Sequence, residues 1–167
     1  MKMGDVQDHI LRYWLKACPL KGGLYPRRND IKVTDLRSRM ADVAILDIET
    51  NPLDFRYRLI GTRLCEFLHR DYTGQKLSEL NGKGPGSEIW NILERVKDSG
   101  SPLYCEVPYV GPKADFRQAS TLYLPLATDH NTIDKIMLVS HFHRIEQSYH
   151  PSENGSSKSR IYSIPTN

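Results

Sequence analysis

Several groups of residues carry side chains able to do chemistry. His141-Phe142-His143 places two imidazoles two residues apart, which is one face of an extended strand. Such a pair can begin a zinc site. Completing it takes one or two more ligands, and Cys105 or His130 could serve only if the fold brings them near. Asp47 and Glu49 share one strand face by the same spacing; acids so placed ordinarily face solvent. Arg27 and Arg28 stand beside Asp30 and could hold an anion. Local ion pairing in a solvated turn is the favoured reading. His69 is a conceivable axial haem ligand. It has no cysteine attachment motif, and residues 87–99, a helical stretch, contain no histidine. No nucleophile elbow, phosphate loop or paired-carboxylate signature occurs. The chain therefore reads as a non-enzyme, with a small cofactor-free α+β enzyme as the alternative.

Elements must position these groups. Residues 5–17, DVQDHILRYWLKA, begin at a possible Asp5 cap. Val6, Ile10, Tyr13, Trp14 and Ala17 recur at helical spacing before Pro19 and Gly22-Gly23. VAILDIE (43–49) and FRYRLIG (55–61) alternate as strands about Asn51-Pro52. Phe55, Tyr57 and Leu59 fall on one face, Arg56 and Arg58 on the other. Gly61 lets the backbone leave the sheet, Thr62 is an acceptable N-cap, and Leu64, Phe67 and Leu68 make one apolar helix face. Thr73-Gly74 breaks it, and residues 76–80 begin a second short element. Ser87 opens a helix with a stripe of Ile89, Ile92, Leu93 and Val96, closed by Gly100 and Pro102. Three strands follow: LYCEVPY, ASTLYLPLA and TIDKIMLVSHFHR. Pro108 and Pro125 suggest strand ends or edges. The polar stretch from Ser148 reads as a mobile tail. The expected organisation is an N-terminal helix and turn (1–24), a domain (25–147) and a flexible tail (148–167).

Composition limits the functions available. The 167 residues suit one domain with a core that needs no cross-links. A net charge of +3, with 26% charged residues, is too weak and too dispersed for a nucleic-acid footprint. No apolar run reaches membrane-spanning length, and the N-terminus lacks the apolar core of a secretory signal. Three cysteines, without CxxC spacing, suggest reduced thiols in the cytoplasm.

The element order makes an α+β fold: a five-stranded antiparallel sheet with short helices on one face and an aromatic amphipathic helix before it. That order resembles the PAS domain, and local sequence agrees at Gly61-Thr62 and at Asp71-Tyr72-Thr73-Gly74-Gln75-Lys76-Leu77-Ser78-Glu79-Leu80. More narrowly, the chain resembles a bacterial PAS-like family of unassigned function. The resemblance rests on Arg12-Tyr13-Trp14, Pro26-Arg27-Arg28-Asn29-Asp30-Ile31, Leu46-Asp47-Ile48, Phe55 to Thr62, and Leu124-Pro125-Leu126. It covers about residues 8–143. Val33 departs from it, standing where a proline would be expected.

The resemblance implies a stand-alone sensory or regulatory module that takes a small molecule, a protein partner or both. It supplies no catalytic residue and names no cofactor. Cys65-Glu66-Phe67-Leu68-His69 faintly echoes the flavin-adduct motif of blue-light PAS domains. Glu66, His69 and Leu64 replace its arginine, glutamine and asparagine, and with them the groups that hold flavin. In PAS-like folds ligands lie between sheet and short helices, which makes Tyr57, Leu59, Phe67, Leu68, Trp90, Leu93, Tyr104, Leu122, Leu124 and Met137 candidate cavity walls. A filled core, hence a ligand-free adaptor, is the competing expectation. Ile10, Tyr13 and Trp14 are the candidate homodimer surface, because their stripe needs cover. The chain ends soon after its last strand, so output is expected to pass to a signalling protein in trans. Neither nucleic acid nor membrane is expected as a partner.

Overall fold

The computed structural model describes residues 3–19, 23–108, 116–144 and 159–165. Helix α1 (Asp5–Ala17) starts from Gly4. Asp5, expected as the cap, is instead its first residue, and the cap lies one place earlier at Gly4. Gln7 returns to the start of the helix, where its Oε1 accepts from the Gly4 N–H at 3.1 Å. The short helix α2 (Val33–Leu36) and a 3-10 turn (Arg37–Asp42) lead into strands β1 (Val43–Thr50) and β2 (Leu53–Ile60). Helix α3 (Thr62–Leu68) and a 3-10 turn (Leu77–Glu79) precede helix α4 (Glu88–Ser99). Ser87 Oγ accepts from the Trp90 N–H at 3.3 Å, and Gly100 closes α4 at φ 67°, a backbone region that glycine occupies without steric cost.

Strands β3 (Leu103–Pro108), β4 (Phe116–Leu126) and β5 (Lys135–Arg144) complete the expected five. A sixth, β6 (Arg160–Ser163), comes from the segment read as a flexible tail and pairs antiparallel with β3. The sheet is antiparallel throughout, in the order β2-β1-β5-β4-β3-β6. The rest of the expected tail lies outside the described residues, apart from Ser159, Ile164 and Pro165. Pro125 stands two residues beyond the last β3 partner of β4, Tyr123, so its missing N–H leaves no gap in that ladder.

The sheet is covered on both faces. On one, Val43, Ile45, Leu122, Leu124, Met137 and Val139 meet Ile10, Leu11 and Trp14 of α1. On the other, Ala44, Leu46, Tyr123, Ile136 and Leu138 meet α3, α4 and the Leu77–Glu79 turn. Gln7, fully buried, is the polar tie of the first layer. Its Nε2 donates to Ser120 O on β4 and Val139 O on β5, each at 3.0 Å. Buried amide groups need such partners.

The outer edge of β2 is occupied by residues 74–76. Gly74 N–H donates to Tyr57 O at 2.7 Å, and Tyr57 N–H donates to Gln75 O at 3.0 Å. Glu49 holds the segment in place by pairing with both Arg56 and Lys76 at 2.7 Å. Covering an edge this way removes a template for pairing with other chains.

Candidate functional site

The abrupt strand-to-helix corner in the sequence is the rim of a cavity. Gly61, not Thr62, is the N-cap residue of α3, and its N–H donates to Val43 O at 2.8 Å. The corner turns back over the sheet, so that Leu64 and Leu68 of α3 face Ile89 and Ile92 of α4 across a cavity of about 200 Å³. The sheet forms the floor with Ala44, Tyr57, Tyr123 and Leu138. The sheet, α3 and α4 therefore bound a cavity that is partly open to solvent and lined mostly by apolar side chains.

Polar groups reach this mostly apolar space. Thr121 and Ser140 sit opposite each other on β4 and β5, with their hydroxyls 2.9 Å apart. Burial pushes the phenols of Tyr57 and Tyr123 up, so both stay protonated and can donate. Tyr57 stacks on Tyr72 at 5.9 Å. Lys83 and Glu88 also line the cavity. The Lys83 Nζ lies 5.4 Å from the Tyr72 ring centroid, and desolvation lowers its pKa.

The sequence-derived candidates separate into two layers. Tyr57 and Leu68 line the cavity. Trp90 and Leu93 pack in the core cluster around it, Trp90 edge-on to Phe55 at 5.1 Å. Phe67 is buried beside it, stacked on the cavity-lining Phe142 at 3.7 Å. Leu59, Tyr104, Leu122, Leu124 and Met137 belong to the opposite face, under or beside α1. They are not cavity walls. Alternation fails for Leu59 because the register shifts between Ile45 and Leu46: Ile45 pairs with Leu59, whereas Leu46 pairs with Tyr57. The others lie on strands apolar on both faces, where period alone does not say which face is which. The polar lining residues missed are Lys83, Glu88, Thr121, Tyr123 and Ser140, alongside apolar ones such as Ala44, Leu64, Ile92 and Leu138. Only the interruption of apolar runs by hydroxyl residues hinted at Thr121, Tyr123 and Ser140.

The proposed dimer stripe is already covered. Ile10 and Trp14 are 0% and 2% exposed within the chain, and the Tyr13 hydroxyl donates to Asp35 Oδ2 at 2.7 Å. The expected homodimer role of Ile10 and Trp14 is thereby corrected to packing against the sheet, while Tyr13 is half-buried. Cys65 and His69 line a shallow surface depression instead of the cavity. Asp47 and Glu49 are engaged with cations, Asp47 with Lys135 at 3.7 Å. Arg27 pairs with Asp30 at 3.1 Å.

His141 and His143 do come together, with ring centroids 4.7 Å apart. Among the described residues no group of three His, Cys, Asp or Glu side chains is placed to hold a metal. His143 Nε2 instead shares a hydrogen bond with Ser120 Oγ at 3.0 Å. Desolvation, then His141, lowers the His143 pKa below its ordinary 6.5, against a smaller raising effect of Glu106. Between the lowered value and the ordinary one, the unfolded chain binds more protons than the folded one. Stability therefore falls as pH drops through that window, and the penalty is absent above it. His143→Gln should flatten this part of the stability profile between pH 7 and 5 in urea titrations. An unchanged slope would remove His143 as its cause.

A family model described as a PAS domain matches residues 4–139. The chain has no significant match among curated proteins or among solved structures. No helix among the described residues is long and apolar enough to cross a membrane.

Proposed function

The chain belongs to the PAS domain family, and from that premise we propose that it is a sensory or regulatory module whose cavity takes a small, mostly apolar molecule and whose output passes to a protein partner in trans. The observation that carries this reading is the partly open, mostly apolar cavity of about 200 Å³ between the sheet, α3 and α4. Its apolar walls stand partly open to water, and a ligand that covers them gains the free energy of burying that surface. Binding acts by shifting a population: a ligand that prefers one arrangement of α3 and α4 against the sheet favours the surface that goes with it.

The test is native mass spectrometry of protein purified from its own cells, with the cavity-filling variant Ala44→Leu alongside. Ala44 is 2% exposed and part of the floor. The expected result is a stoichiometric small molecule on the wild type and none on the variant. A wild type free of ligand, with a variant about 0.5–2 kcal/mol more stable, would make the void a packing defect and leave an adaptor.

A further inference from the structure

Resting on the reading of the cavity as a ligand site, we propose that its ligand is a small monocarboxylic acid with an apolar body, its carboxylate held by Lys83. Lys83 is the one Lys or Arg among the described residues that line the cavity. Its ammonium contacts the Tyr72 ring, and no carboxylate of a described residue stands within ion-pair distance of it. A half-buried ammonium with no carboxylate of a described residue in ion-pair contact is an arrangement that an incoming anion stabilises. The remaining lining fits the other end of such a molecule. Leu64, Leu68, Ile89, Ile92 and Leu138 supply apolar walls for a hydrocarbon or aromatic body.

Size and charge narrow the class further. About 200 Å³ holds on the order of ten non-hydrogen atoms, below the range of pockets for drug-sized molecules. Glu88 also lines the site and is exposed to water, so it incurs little desolvation when the site is empty. Its negative charge opposes a second carboxylate, and Lys83 is the one cation of the lining able to offset it. One cation and one anion at the cavity therefore favour an acid of single charge over a dicarboxylate.

Octanoate is the probe, with octanamide as its neutral counterpart and octanedioate as its doubly charged one. Each is titrated into the full chain by calorimetry, with the fluorescence of Trp90, in the core around the cavity, as a second readout. Octanoate should bind at least about tenfold more tightly than either comparator, the size of one charge-assisted contact. Lys83→Met should bring octanoate to the octanamide level while octanamide binding stays unchanged, which also shows that the variant is folded. Lys83→Arg should retain most of the octanoate affinity, and Glu88→Gln should raise it. If octanamide binds as well as octanoate, or Lys83→Met leaves octanoate unaffected, the acid assignment is overturned and the cavity reading stands. If none of the three binds the wild type, the acid assignment is overturned; the Ala44→Leu experiment then decides the cavity reading separately.

Discussion

Trp14→Ala is expected to lower the unfolding free energy by about 3–5 kcal/mol, the range for truncating a large buried aromatic. Trp14 is 2% exposed, lies against the sheet among Leu122, Leu124 and Met137, and donates its indole N–H to Pro125 O at 2.9 Å. The variant loses the packing and leaves that carbonyl without its donor, and alanine replaces neither. Deleting residues 1–20 should go further and give aggregated protein instead of the soluble monomer that a dimer helix would leave behind. It would bare the apolar face formed by Val43, Ile45, Leu122, Leu124, Met137 and Val139. Urea unfolding decides the first and light scattering the second. A loss under about 1 kcal/mol for Trp14→Ala would mean that α1 is not a structural layer of this domain.

Gly61→Ala is expected to cost about 3 kcal/mol, the upper end for overpacking. The backbone of Gly61 is ordinary, with φ −68° and ψ 152°, so alanine meets no conformational objection. The obstacle is space. A Cβ there would run into the carbonyl oxygens of Met40 and Ala41 and come within 2.6 Å of the Ala41 carbonyl carbon. Backbone cannot swing aside as a side-chain tip can. Gly82 is the control, with φ 71° and nothing within 4 Å of an added Cβ. Gly82→Ala should cost about 1–2 kcal/mol from its backbone angle alone. Thermal or urea unfolding of both variants tests the order, and Gly82→Ala costing more than Gly61→Ala would sink the steric account.

Gly61 also shows how far the sequence could be read. Its position at the end of β2 marked the corner, because glycine punctuates strands. The reason for glycine, however, is the backbone of residues 40–41, which is distant in sequence from the corner and leaves no local signature. The same division holds elsewhere. Helices α1 and α4 were legible because each has one apolar stripe and recognisable ends, Ser87 and Gly100 for α4. The succession of strands and helices along the chain followed from alternation and helical spacing and agreed with the resemblance to PAS domains. The two faces of the sheet were not legible. Leu122, Tyr123 and Leu124 are all buried, yet Leu122 and Leu124 pack under α1 while Tyr123 faces the cavity. Lys83 sits in Asn81-Gly82-Lys83-Gly84, a stretch that composition marks only as a loop. Strand β6 lies in polar sequence and is specified by its pairing with β3. Its own pattern gives little sign of it.

The placement of Leu138 bears on the stiffness of the molecule. Leu138 faces the cavity while Met137 and Val139 press on α1, and the three are consecutive on one strand. The sheet between the cavity and the N-terminal helix is thus a single thickness of peptide, with no compressible layer to absorb displacement. A close-packed interior deforms by moving its neighbours. Any guest that pushes on Leu138 must tilt the strand and load the far side, where the Trp14 indole N–H is held on Pro125. The NMR frequency of that proton is therefore expected to shift if a guest occupies the cavity, although it lies on the opposite face of the sheet.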